Sequence, residues 1–146
     1  MKTLTYLLSV ILVLISINGS AQEIYKDSNG IYCAANMYPY NGTYIQYYEN
    51  GNIKSESHII EGVLNGISTI YFENGQKNEI RSYKNGKKEG EWYLWNAEGI
   101  KVAQASYKND KKDGKWFIWD NKGNLQYEIV YFKGERIVPE INLGSL

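Results

Sequence analysis

The chain has 146 residues, of which 16 are Lys or Arg and 16 are Asp or Glu, so its formal net charge is +0. This length suits one domain with a modest core rather than two domains. Because no basic excess supplies the phosphate neutralisation on which non-specific nucleic-acid binding depends, we exclude nucleic acid as a partner. The 14 Tyr, 4 Trp and 3 Phe, against only 2 Pro and 2 Met, favour pleated strands and an all-β fold.

Residues 1–21 have the features of a secretory signal peptide. Lys2 supplies a positive charge, residues 4–17 form an apolar run, and residues 19–21 are small, as at a cleavage site. A membrane anchor is the alternative, but a span needs about 20 apolar residues, and this run has 14. We therefore expect export to the periplasm or the extracellular space, with no transmembrane anchor.

Residues 22–40 predict a degenerate hairpin that caps the N-terminal end of the repeats described below. Its turn, at residues 27–30, lacks the alternating oxygen ligands and the terminal glutamate of a calcium loop. The single cysteine, Cys33, cannot form an internal disulfide. We interpret it as a small buried hydrophobe, a free thiol or a link to another chain.

Residues 41–136 repeat with a period of 24 residues, which divides them into units 1 to 4 at 41–64, 65–88, 89–112 and 113–136. Three series of turn positions keep this period. They are Gly42, Gly66, Gly90 and Gly114; Gly51, Gly75, Gly99 and Gly123; and Gly62, Gly86 and Gly134, with Asp110 in place of the fourth member. Such a period indicates a repeat architecture, in which each unit is one supersecondary element packed against its neighbours.

Each unit predicts two strands joined by tight turns. The first strands are expected at 43–48, 67–72, 91–96 and 115–120, and each is followed by a turn signal such as Glu49-Asn50-Gly51. The second strands end near Ile59, Tyr83, Tyr107 and Tyr131. Aspartate tolerates a left-handed backbone, so the turn at Asp110 should survive. Because short connections make sequential strands neighbours, the sequence predicts an elongated antiparallel β-meander of about four hairpin repeats.

Residues 137–146 complete the chain. Pro139 cannot donate to a β-ladder, so we expect a C-terminal tail that is loose or lies as a strap over the sheet.

Side chains in the first strands alternate between the two faces of the sheet. One face should carry Tyr44, Ser68, Trp92 and Trp116, and the other Tyr47, Tyr71, Trp95 and Trp119. One column can pack a core while the other is covered by curvature or by long side chains, or one can stay open for binding. The candidate partner-binding residues are Trp92, Trp95, Trp116, Trp119, Tyr47 and Tyr71.

The repeated motif resembles the MORN-repeat family, and more narrowly the bacterial MORN-variant repeats. It is carried by Tyr71-Phe72-Glu73-Asn74-Gly75 and by Tyr83-Lys84-Asn85-Gly86-Lys87-Lys88-Glu89-Gly90-Glu91-Trp92. Departures are Ser68 in place of an aromatic residue, Ala97-Glu98 in place of Glu-Asn, and Asp110 in place of glycine. The resemblance implies MORN-like β-hairpin repeats used for contact with proteins or membrane surfaces. Some relatives are labelled as the antitoxin component of a toxin–antitoxin module, which agrees poorly with an export signal.

No catalytic, cofactor or metal site is predicted. His58 is the only histidine, so a histidine metal site is not expected, and no pairing of a nucleophile with a base has a known spacing. We therefore expect a non-enzymatic interaction or scaffold module for a protein partner at the cell envelope. The alternatives are a carbohydrate-binding module with an exposed aromatic column, and an antitoxin-like component. Homo-oligomers can also form, because the ends of an open sheet present edge strands.

Overall fold

The computed structural model describes residues 16–17, 20–21, 23–137 and 141–142, and the regular structure within these ranges consists of β-strands. In chain order the strands are β1 (Ser16–Ile17), β2 (Ser20–Ala21), β3 (Ile24–Lys26), β4 (Tyr32–Ala34), β5 (Gly42–Tyr47), β6 (Ile53–Ile60), β7 (Val63–Tyr71), β8 (Lys77–Lys84), β9 (Lys87–Lys88), β10 (Gly90–Trp95), β11 (Lys101–Lys108), β12 (Lys111–Lys112), β13 (Gly114–Trp119), β14 (Leu125–Phe132), β15 (Glu135–Arg136) and β16 (Ile141–Asn142). The all-β class is confirmed. Most of the predicted signal peptide, and most of the predicted tail with Pro139, lie outside the described residues.

The units form one antiparallel meander, which confirms the predicted fold. The hairpins β5–β6, β7–β8, β10–β11 and β13–β14 are the four units, and neighbouring units join through β6–β7, β8–β10 and β11–β13. Strand β7 begins at Val63 rather than at the expected residue 67. The equivalent residues elsewhere form the separate short strands β9, β12 and β15. Directly after β9 and β12, hydrogen bonds tie the chain to the preceding unit. The Glu89 N–H donates to the Ser82 carbonyl, and the Asp113 N–H donates to the Ser106 carbonyl.

The turns are of two kinds. After the first strand, the Gly51 N–H donates to the Tyr48 carbonyl at 3.0 Å, and Gly51 adopts a left-handed backbone with φ 85°. After the second strand, the two turn residues both have positive φ, as at Asn85 (49°) and Gly86 (77°), which is the geometry of a type I′ hairpin turn. Asp110 has φ 66°, so its turn survives as predicted.

One backbone hydrogen bond recurs with the 24-residue period and ties each second turn to the chain before it. The second residue of each type I′ turn donates its N–H to the carbonyl of the residue 22 positions earlier in the chain. The four bonds are Gly62 to Tyr40 (2.9 Å), Gly86 to Leu64 (2.7 Å), Asp110 to Lys88 (3.0 Å) and Gly134 to Lys112 (2.8 Å). Asp110 adds a bond that glycine cannot make, because its Oδ1 accepts from the Lys88 N–H at 2.8 Å.

The buried core lies at the N-terminal end of the sheet. Strands β3 and β4 pair as the predicted hairpin, and Ile24, Tyr40, Tyr44 and Ile59 form a buried cluster. Cys33 is also buried, and burial raises the pKa of its thiol, in agreement with its interpretation as a small buried hydrophobe. Most large side chains in units 2 to 4 are only half-buried. That the hairpin acts as a cap stays a prediction.

Candidate functional site

The structure separates the candidate tryptophans onto two faces, as the alternation of side chains predicts. Trp92 contacts Tyr83 and Tyr107 on one face, which we call the ladder face. On the opposite face Trp95 contacts Tyr93, with ring centroids 5.9 Å apart. All four tryptophans are half-buried. The two columns therefore offer two distinct surfaces.

The ladder face carries five aromatic rings in continuous contact, which we call the aromatic ladder. Consecutive centroids are 5.5, 4.9, 5.2 and 5.2 Å apart along Tyr83, Trp92, Tyr107, Trp116 and Tyr131. The rings are tilted or edge-on to one another, an arrangement that aromatic quadrupoles favour. Tryptophans from first strands thus alternate with tyrosines from second strands.

Strand register explains why the tyrosines join this row. Tyr107 lies directly opposite Gly90, and the other two tyrosines likewise lie opposite glycines. A glycine presents no side chain, so each tyrosine ring has room to lean onto the neighbouring tryptophan. Tyr83, Tyr107 and Tyr131 were not among the predicted binding residues, because the sequence alone does not define the hairpin register.

Lysine side chains lie between the rings. The Lys88 ammonium is 4.9 Å from the centroids of both Trp92 and Tyr107, and the Lys112 ammonium is 4.4 Å from Trp116 and 4.7 Å from Tyr131. Such cation–π contacts attract the ammonium to the ring face. These lysines were also missed, since only the folded β9 and β12 bring them onto the ladder face.

The tryptophans of the ladder are held by hydrogen bonds as well as by packing. The Nε1–H of Trp92 donates to the Ser82 carbonyl and that of Trp116 to the Ser106 carbonyl, each at 3.0 Å. Burial raises the pKa of the Tyr107 hydroxyl, so this ring stays neutral at physiological pH. The ladder is therefore a row of packed rings, with its tryptophans held by hydrogen bonds and with lysines between the rings.

The opposite face is organised in shorter groups. Trp119 stacks on Phe117 within one strand, with centroids 5.7 Å apart, and Lys101 lies 4.6 Å from the Trp119 ring. Tyr71 is half-buried and Tyr47 is 43% exposed. Among the described residues, the ring contacts of this face join residues of one strand only, so this face has no counterpart to the aromatic ladder.

Within the described ranges, no metal site is present. His58 is exposed on β6, and no three His, Cys, Asp or Glu side chains of the described residues are grouped to hold a metal ion. The same part of the chain contains no helix that is long and apolar enough to cross a membrane.

Fold and surface together define a β-hairpin repeat protein whose repeats form one antiparallel sheet. The family model described as MORN repeat variant matches residues 40–60, 64–85 and 112–133. The chain belongs to the MORN-repeat family. The matches fall mainly on units 1, 2 and 4, while unit 3 carries the departures at Ala97-Glu98 and Asp110. No curated protein matches the chain. MORN repeats commonly serve as interaction modules for proteins or membranes.

Proposed function

We propose that this protein is an exported, non-enzymatic interaction module that binds a protein partner at the cell envelope through its aromatic ladder. The observation that carries the proposal is the continuous row of five rings, half-buried and held by hydrogen bonds and lysines. Tryptophan and tyrosine supply most of the binding energy of protein interfaces when they fill pockets of a partner.

The lysines of the ladder define the chemistry of that partner. Lys88 and Lys112 bring two positive charges to the row of rings. Arg81 lies 5.4 Å from the Trp92 ring, but it is paired with Glu79. A partner surface that combines carboxylates with apolar side chains complements this arrangement in charge and in packing. We therefore propose an acidic protein segment with apolar residues as the occupant.

A matched pair of variants tests the proposal. Lys88→Gln with Lys112→Gln removes the charges between the rings, while Lys87→Gln with Lys111→Gln removes neighbouring exposed charges from the same two strands. Each tagged protein is crosslinked in the native envelope, and captured proteins are identified by mass spectrometry. We expect a captured protein with an acidic segment to be lost with the first pair and retained with the second.

The outcome is checked with the isolated partner. A synthetic peptide of the acidic segment should bind the parent protein and the Lys87/Lys111 variant equally, and the Lys88/Lys112 variant more weakly. Equal capture and equal peptide binding by all three proteins would contradict the proposal, provided that circular dichroism shows the same fold in each.

A further inference from the structure

The aromatic ladder ends within unit 2, at Tyr83 on β8. Ser68 stands in unit 2 where Trp92 and Trp116 stand in units 3 and 4. Ser55, Ser57 and Ser68 are buried in the sheet, with exposures of 9, 7 and 6%. Small side chains at the floor leave a cavity of about 290 Å³, which we call the serine pocket.

Positive charges surround the serine pocket. Lys26, Lys54 and Arg81 line it, and the described lining residues include no carboxylate. Arg81 is held in place by an ion pair with Glu79 at 2.6 Å. Within the described part of the chain the two lysines have no ion-pair partner, although Lys26 lies 4.5 Å from the Tyr32 ring and Lys54 lies 5.7 Å from the Tyr48 ring. The rim is therefore suited to an anion.

The floor offers hydroxyl groups. Ser57 Oγ and Ser68 Oγ are 2.6 Å apart, so one hydroxyl donates to the other. Each hydroxyl carries one donor and two acceptor positions, and the shared bond uses only one of the two hydrogens. A ligand with its own hydroxyl groups can exchange hydrogen bonds with this pair.

The side chains that line the serine pocket, and the pairing of the strands beneath it, favour a sugar over a peptide as the ligand. Tyr32 and Tyr83 line the pocket, and tyrosine rings provide apolar faces against which the C–H side of a sugar ring can pack. The serines lie on β6 and β7, and each of these strands is paired on both sides. No strand edge is thus offered there for the main chain of an extended peptide, which commonly binds by adding a strand.

We propose that the serine pocket binds a sugar acid, a hexuronate residue, with its carboxylate towards Lys26 and Lys54 and its hydroxyls towards Ser57 and Ser68. The site is independent of the proposed protein partner. It adjoins the aromatic ladder at Tyr83, but neither Trp92 nor Trp116 lines it.

Calorimetric titration of the purified protein tests the site with three probes: glucuronate, glucose and triglutamate. Lys26→Gln with Lys54→Gln removes two exposed rim charges, and Lys84→Gln with Lys108→Gln is the control of equal charge on exposed lysines elsewhere. We expect saturable binding of glucuronate at millimolar concentration, weakened about fivefold by the rim variant and unchanged in the control. Ser68→Trp, which restores the residue of units 3 and 4, should fill the pocket and abolish binding.

The rim variant alone decides the matter if Ser68→Trp does not fold. Equal binding of glucose and glucuronate would overturn the assignment to an acid. Tighter binding of triglutamate than of glucuronate would overturn the assignment to a sugar. No saturable heat with glucuronate up to about 50 mM, or equal weakening by the rim and control variants, would overturn the site itself.

Discussion

Replacing Gly62 with alanine tests how the N-terminal hairpin packs on unit 1. Gly62 has φ 74°, and a Cβ there would overlap the Ile31 side chain and come within 2.9 Å of the Tyr32 carbonyl oxygen. Gly75 provides a matched control, because its φ is 84° and nothing lies within 4 Å of a Cβ at that position. Both substitutions impose the same backbone strain, whereas only Gly62→Ala adds a collision.

The difference between the two variants can be worked from these contacts. A left-handed backbone costs a non-glycine residue about 1–2 kcal/mol. The collision at Gly62 should add about 1–3 kcal/mol, as overpacking does in a core. The Tyr32 backbone cannot move away freely, since its N–H donates to the Gly62 carbonyl at 2.8 Å. We expect losses of about 1–2 kcal/mol for Gly75→Ala and about 2–5 kcal/mol for Gly62→Ala.

Urea unfolding followed by far-ultraviolet circular dichroism measures both losses. This signal reports the strands of the whole chain, whereas tryptophan fluorescence would report only units 3 and 4, where all 4 tryptophans lie. The m-values should agree among the proteins if unfolding exposes the same surface. Equal destabilisation by Gly62→Ala and Gly75→Ala would refute the packing of the hairpin against this turn.

Three further predictions concern single side chains. Trp92→Phe should lower the free energy of unfolding by about 1 kcal/mol more than Trp95→Phe, because the Trp92 indole donates a hydrogen bond to the Ser82 carbonyl, whereas the Trp95 indole donates none within the described residues; chemical denaturation of both variants checks this. Ile59→Ala should cost about 2–5 kcal/mol by the same assay, since Ile59 has 0% exposure. Hydrogen bonds from Asn124 lower the pKa of the Asp120 carboxyl in the folded protein. Its contribution to stability should therefore be complete above the unfolded pKa of about 3.9 and be lost as the pH falls through the lower folded pKa. The dependence of stability on pH in this acid range should be smaller for Asp120→Asn, and an unchanged dependence would contradict the argument.

The period and the strand positions could be predicted because they depend on local sequence. Turn residues such as Gly51 and Gly86 recur at fixed spacing, and each requires a positive φ that few other residues adopt. Strand β7 was predicted too short, because the strand was expected to begin after Gly66. It in fact begins at Val63, which pairs with Ile60 across the type I′ turn at Glu61 and Gly62.

The composition of the aromatic ladder could be predicted only in part. Alternation places Trp92 and Trp116 on one face without knowledge of the register. Tyr107 joins them only because it lies opposite Gly90, and Lys88 only because β9 directs it between the rings. The departure at Ser68 was visible in the sequence, but the pocket above it depends on Lys26 and Tyr32 from the N-terminal hairpin.

Export and association of copies through the sheet edges stay predictions. Fractionation of cells that produce the full chain would locate the protein, and sedimentation would measure its oligomeric state. Neither result alters the geometry of the ladder face.

The central claim is that the ladder face, rather than the opposite face, binds the partner. Each face carries an exposed isoleucine at which a probe can be placed. Ile118, two residues after Trp116, lies on the ladder face and is 38% exposed, and Ile67 lies on the opposite face and is 52% exposed. A photo-crosslinking amino acid placed at each position in living cells measures what touches that face. We predict that position 118 crosslinks the partner protein and position 67 does not. Crosslinking of the partner from position 67 alone would contradict the account.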